Sequence, residues 1–163
     1  SAMELGTSLA RVKVKEKADV VIASPGGYPK DINLYQSQKA LGHAAPIVKG
    51  GGTVILVAEC SEGIGNRRFE EWMTGASSPG DIFVRFQREG FRLGPHKAFL
   101  VARDLAKVEV LMLSALPTSL VQRMMLRPVV SVEGALQEAL SRCGPTARIV
   151  VMPRAASTIP TLA

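Results

Sequence analysis

The sequence predicts an α/β fold: a mostly parallel, open sheet of about four to five strands flanked by helices, Rossmann-like and forming a single domain. Two observations carry this. Four short apolar runs, Val20–Ala23, Val54–Ala58, Val108–Leu113 and Ile149–Met152, are continuous rather than alternating and rich in β-branched residues. That is the pattern of strands covered on both faces. Helical patterns separate the runs, so strand and helix alternate along the chain.

Taken in order, Arg11–Lys15 alternates basic and apolar residues, as an edge strand or a two-faced connector does. After the first apolar run, a helix is expected to start near Asp31, a capping residue following Pro29, and to stop at Gly50–Gly52. Leu34, Leu41, Ala45 and Val48 supply its apolar stripe, and Pro46 is expected to kink it or end it early. Further helices are predicted over 67–73, 79–89, 95–105 and 132–142, the last capped by Ser131 and ended by Cys143-Gly144-Pro145. The chain after Met152, with Pro153 and Pro160, is expected to be irregular. The expected divisions are 1–17 (remnant, connector and edge strand), 18–155 (the α/β domain) and 156–163 (an irregular tail).

At 163 residues, with 47% hydrophobic and 21% charged residues, the composition suits one globular core. No apolar run approaches the roughly 18 residues that cross a bilayer, so no membrane partner is expected. Cys60 and Cys143 are too few for a disulfide framework, which places the expectation in a reducing, cytoplasmic compartment. Ser1-Ala2-Met3 reads as an expression remnant rather than the start of a leader. The net charge of +6 is concentrated at the ends: residues 1–17 hold four basic against two acidic groups and 123–163 five against two. With 5% aromatics and no long basic run, the balance describes a solvated rim, and no nucleic-acid partner is expected.

Ligands of open α/β sheets bind outside the carboxyl ends of the strands. Two such ends are glycine-rich: Ser24-Pro25-Gly26-Gly27-Tyr28-Pro29-Lys30-Asp31 and Glu59-Cys60-Ser61-Glu62-Gly63-Ile64-Gly65-Asn66. Paired glycines admit a close ligand, and the helix start that follows Gly26 and Gly27 is expected to favour an anion. Neither segment carries a dinucleotide or phosphate-loop fingerprint. Within the first helix, Ile32, Gln36, Lys39 and His43 share a face. That face is either merely solvated or presents Lys39 as a cation and Gln36 as donor and acceptor. His43 and His96 are the only histidines and no Cys-x-x-Cys occurs, so no metal site is expected. Cys60 is expected to be buried and inert rather than nucleophilic, and no serine occupies a hydrolase elbow.

The segment Asp19–Lys39, with Gly-Gly-Tyr-Pro at 26–29 and Tyr-Gln-x-x-Lys at 35–39, resembles the start of the C-terminal domain of the nickel-dependent lactate racemase family. Gly51–Gly65, His96-Lys97-Ala98 and Ala102-Arg103 continue the resemblance, which covers roughly 18–155. It implies a two-domain racemase or epimerase of a small 2-hydroxy acid, an isomerase with its active site in the cleft between domains. The family's cofactor is a nickel pincer nucleotide that takes a hydride from C2 and returns it to either face. The bases, the cofactor tether and the nickel ligand lie in the family's N-terminal domain. That domain is therefore the implied partner, and no catalytic residue or cofactor is expected in this chain, which is expected to be inactive alone.

Carried over by position, Gln36 and Lys39 match the family's Gln-x-x-Lys pair facing cofactor and substrate, with Gly26, Gly27 and Tyr28 beside them. His96 stands where the lactate racemase has a substrate-side tryptophan, a departure that implies a substrate other than lactate. An alternative is a stand-alone nucleotide-binding or methyltransferase-like regulatory module, suggested by Lys49–Val54 but lacking an early acidic, glycine-rich loop. A third is a purely structural lid.

Overall fold

The structure, a computed structural model, describes residues 11–163; the reading of Ser1-Ala2-Met3 lies outside the described residues. The four apolar runs form β2 (Ala18–Ala23), the distal half of β3 (Val48–Val57), β4 (Glu109–Leu113) and β6 (Ile149–Met152). With β5 (Arg127–Pro128) they make a five-stranded, all-parallel sheet ordered β5-β4-β3-β2-β6. The helices are α1 (Leu34–Ala44), α2 (Arg67–Thr74), α3 (Pro79–Glu89), α4 (Pro95–Leu105), α5 (Thr118–Arg123) and α6 (Val132–Cys143). No helix among the described residues is long and apolar enough to cross a membrane.

The two sheet faces are covered unequally. On one, Val21, Ala23, Val54, Leu56, Val110 and Met112 pack into the main core with Leu41, Phe69, Met73 and Val101. The few aromatic residues gather there: Trp72 meets Phe86 edge-on at 6.3 Å, and Phe99 lies 4.5 Å from Phe86 and 5.4 Å from Phe83, joining α2, α3 and α4. On the other face, Val20, Ile55 and Leu111 are covered by Ala135 and Ala139 of α6. Small residues let α6 approach closely. Ion pairs from Arg127 to Glu109 (3.0 Å) and Glu138 (2.5 Å), and from Arg142 to Glu109 (2.5 Å), fasten it to β4 and β5.

Several sequence expectations change. The cap of α1 is Asn33, whose side chain accepts from the Gln36 N–H, not Asp31. Asp31 lies in the preceding turn and gives its backbone carbonyl to Cys60. The helix ends at Ala44, and Pro46 sits in a 3₁₀ turn (Ala45–Ile47). Gly50–Gly52 do not stop a helix; they lie within β3, where the register against β2 shifts between Ala18 and Val20. A side chain at Gly52 would place its Cβ 2.7 Å from the Asp19 carbonyl oxygen, so this backbone approach excludes any other residue.

The chain after Met152, expected to be irregular, forms a 3₁₀ turn (Ala155–Ser157) and β7 (Ile159–Leu162). β7 pairs in parallel with β1 (Arg11–Val14), from Arg11 opposite Ile159 to Val14 opposite Leu162. Alternation in Arg11–Lys15 thus marks a strand, in a separate two-stranded sheet. Partners far apart in sequence thus order both strands. Helices α2, α3, α4 and α6 fall within one residue of expectation, whereas α5 and β5, six and two residues long, carry too little pattern to announce themselves.

Asp104 is the least comfortable buried group. It is 2% exposed, at the carboxyl end of α4; Arg103 holds Oδ1 at 2.9 Å while Oδ2 has no hydrogen-bond partner. Burial pushes its carboxyl above the usual range, against the opposing pull of Arg103. A folded pKa above the unfolded one favours folding fully below the unfolded pKa, and that contribution is lost as pH rises through the folded pKa. Asp104→Asn is therefore expected to raise stability near neutrality by about 1–2 kcal/mol, with the gain shrinking toward pH 4. Thermal melts of both proteins at pH 4 and 7.5 check this; a lower melting temperature at pH 7.5 would refute it.

Candidate anion site at the carboxyl edge of the sheet

Strand order locates the site. From β2 the chain winds outward through β3, β4 and β5, then returns to the other side of β2 to lay down β6. α1 leaves on the main-core face, whereas α6 arrives on the opposite face. The carboxyl ends of β2 and β6 therefore flank a topological switch point, where open α/β sheets bind ligands. The two loops there are stitched together. Ser24 N–H donates to Met152 (3.0 Å), Ala155 N–H to Ser24 (2.7 Å), and the His43 imidazole from Nδ1 to the Ala155 carbonyl (2.6 Å). Lys30 Nζ donates to Ser157 Oγ at 2.6 Å.

Between these loops and α1 lies an open depression of about 240 Å³, lined by Lys30, Gln36, Lys39, Ala156 and Ser157. Gln36 and Lys39, which share a helix face, do converge on one concavity. Lys39 is exposed and makes no ion pair among the described residues. Gly26 and Gly27 form the turn beneath, both at positive φ, with Arg154 against Gly26. Tyr28 is 78% exposed. His43 is neither a ligand nor merely solvated: it anchors the Ala155–Ser157 wall.

One expectation fails. The N-terminus of α1 is not available to an anion, because protein acceptors already hold its amides. Leu34 N–H donates to Gly63 (3.1 Å), Tyr35 N–H to Ile64 (2.9 Å), and Gln36 N–H to Asn33 Oδ1 (2.9 Å). The two glycine-rich loops thus bond to each other rather than cradling a phosphate. Gly65 is required there: a Cβ would sit 2.2 Å from Asn33 Cγ, in a backbone already at φ +86°. Positive charge at this edge comes from lysines, not from a helix N-terminus.

His96 does not line the depression. Its Nδ1 accepts from Gly94 N–H (3.2 Å) and its ring lies 5.3 Å from that of Phe91. The next residue links α4 to the site: Lys97, 8% exposed, donates to the Tyr35 carbonyl and stands 3.9 Å over the Tyr35 ring. Burial, and then the nearby charge of Lys39, lowers the Lys97 ammonium to about 8. Cys60 is 2% exposed, with Sγ 3.8 Å from Ser37 Oγ, and burial raises its thiol to about 11. That agrees with an inert cysteine. Among the described residues no group of three or more His, Cys, Asp or Glu is placed to hold a metal ion.

Sequence reasoning missed Lys30, Ser157 and Lys97 as members of the site. Lys30 was adjacent to the expected turn, but Ser157 arrives only because β6 pairs with β2.

Fold and site together define an α/β domain with a cationic, open carboxyl edge at a sheet switch point. Residues 13–159 match the lactate racemase C-terminal domain family, and the chain belongs to that family. It is 32% identical over 160 residues to the lactate racemase of Thermoanaerobacterium thermosaccharolyticum and 29% identical over 139 residues to that of Lactiplantibacillus plantarum. These matches take in 96% and 83% of this chain but 37% and 33% of the relatives, so the chain spans about a third of their length. The apoprotein structure of the T. thermosaccharolyticum enzyme superposes with a TM-score of 0.89 at 31% identity, covering 97% of this chain and 39% of that one. A Thermotoga maritima protein shares the fold, with a TM-score of 0.65 at 10% identity over 99% of this chain and 41% of its own.

The two cysteines differ in reactivity on this account. At pH 8 a thiol reagent is expected to modify exposed Cys143 and leave Cys60 untouched until the protein unfolds. Rapid labelling of a native Cys143→Ser variant would overturn the inert reading of Cys60.

Proposed function

We propose that this chain is the C-terminal part of a lactate-racemase-like isomerase that inverts C2 of a small 2-hydroxy acid, working in a reducing, cytoplasmic compartment. Lys39 holds the substrate carboxylate, and Gln36 offers its amide to the carboxylate or the hydroxyl. Gly26, Gly27 and Tyr28 border the cleft, whereas His96, outside the depression, is given no part in holding the substrate. The remainder of the enzyme would supply the acid–base groups and would hold the nickel pincer nucleotide, whose chemistry when bound would be hydride transfer. One observation carries the reading: in a member of the lactate racemase C-terminal domain family, Gln36 and Lys39 line one depression at the switch point of the sheet.

The physics of the edge fits the task. A carboxylate entering the depression gains a charge-assisted bond from Lys39, whose ammonium is not engaged by any described acid. The occupied amides at the start of α1 count against the nucleotide-binding module, which would need them for phosphate. Saturable nucleotide binding by this chain alone would restore that alternative.

Lys39→Ala in the full-length enzyme tests the proposal. Loss of a charge-assisted contact is expected to lower kcat/KM by about 10–100-fold, equivalent to roughly 1.5–3 kcal/mol. Thermal stability should be nearly unchanged, because an exposed lysine without an ion partner contributes little. Wild-type turnover in that variant would reduce Lys39 to a solvated residue.

A further inference from the structure

The depression carries more positive charge than one carboxylate requires. Lys30 and Lys39 both line it, together with Gln36, Ala156 and Ser157, and no carboxylate does. Neither lysine forms an ion pair among the described residues. Lys97 adds a third ammonium close enough to interact with Lys39, but it is buried, donates to the Tyr35 carbonyl and stands over the Tyr35 ring. Arg154 lies against Gly26 at the same edge. Like charges gathered in a concavity repel one another until an anion enters, and a monocarboxylate leaves one of the two lining lysines unmatched.

Lys30 is also held in place. Its Nζ donates one bond to Ser157 Oγ (2.6 Å), leaving two of three donors for a ligand. Ser157 belongs to the turn that His43 clamps through Ala155. The ammonium is thus oriented by a neutral partner rather than neutralised by an acid.

We propose that this site binds a small dianion, with Lys39 on one anionic group and Lys30 on the other. The proposal rests on the role given above to Lys39 and adds a second subsite at Lys30. The second anionic group is a carboxylate of the hydroxy acid itself, which makes the substrate a dicarboxylic 2-hydroxy acid.

The test titrates the 163-residue chain with L-malate, L-lactate and inorganic phosphate at pH 8, following the Gln36 side-chain amide and the Ser157 backbone amide by ¹⁵N NMR. Malate is expected to bind at least about tenfold more tightly than lactate. Lys30→Met should abolish that preference by weakening malate far more than lactate, and Lys30→Arg should retain it. A Lys30-dependent preference for malate supports the proposal; a preference for phosphate alone overturns the dicarboxylate. Equal binding of all three, a preference that survives Lys30→Met, or no saturable shift with any probe overturns the proposal. Lactate binding that depends on Lys39 without any dianion preference overturns the Lys30 subsite alone. Lactate binding indifferent to Lys39→Met overturns the role of Lys39 as well.

Discussion

Parallel pairing of β2 with β3 on one side and β6 on the other is the constraint from which the site follows. Val20–Ala23 is bonded along both edges, to Thr53–Leu56 and to Ile149–Met152, and is buried on both faces. A strand so enclosed can release its chain only at its carboxyl end. Because α1 then turns to one face while α6 serves the other, the loops after β2 and β6 separate and leave a crevice. Lys30, Gln36, Lys39 and Ser157 meet there. Ser157 would not be their neighbour if β6 had been added at the β5 edge.

Rigidity at this edge comes from backbone bonds, charge from side chains that the fold leaves free. The Leu34 and Tyr35 amides are held by the Gly63–Ile64 turn, and Ala155 is held by both Ser24 and His43. Aligned amides that might have attracted an anion are spent on fixing two loops against each other. The lysines that remain project from an ordered frame, as an anion site needs if its donors are not to lose freedom on binding. A buried lysine beneath them, Lys97, ties the first turn of α4 to that of α1, so the position of His96 is coupled to the same frame.

Membership of the lactate racemase C-terminal domain family gives this edge a biological setting. The relatives are about three times as long as the region this chain matches. On the function proposed above, the rest of the active site lies outside the matched region, and an open depression lined by lysines is consistent with that reading. Inter-domain surfaces are polar and wet compared with cores, so such an edge need not collapse or aggregate when exposed.

The fold class and most of its helices were legible in the sequence, because their signals are local. β-branched apolar runs report burial on both faces, and Ser131 or Pro95 mark helix starts wherever the rest of the chain lies. Gln36 and Lys39 were legible as a pair for the same reason, since a helix places i and i+3 on one face. Tertiary structure decided what depends on partners distant in sequence. Gly50–Gly52 read as a helix stop until Asp19 was seen to press against Gly52. The chain after Met152 carries an irregular pattern by itself and is ordered because β1 supplies a strand for it. Asn33 displaced Asp31 as the cap because the Gly63–Gly65 turn packs against it. Ser157 joined Lys30 only through the return of β6 to β2. Strand order is a property of non-local pairing, and local periodicity carries no record of it.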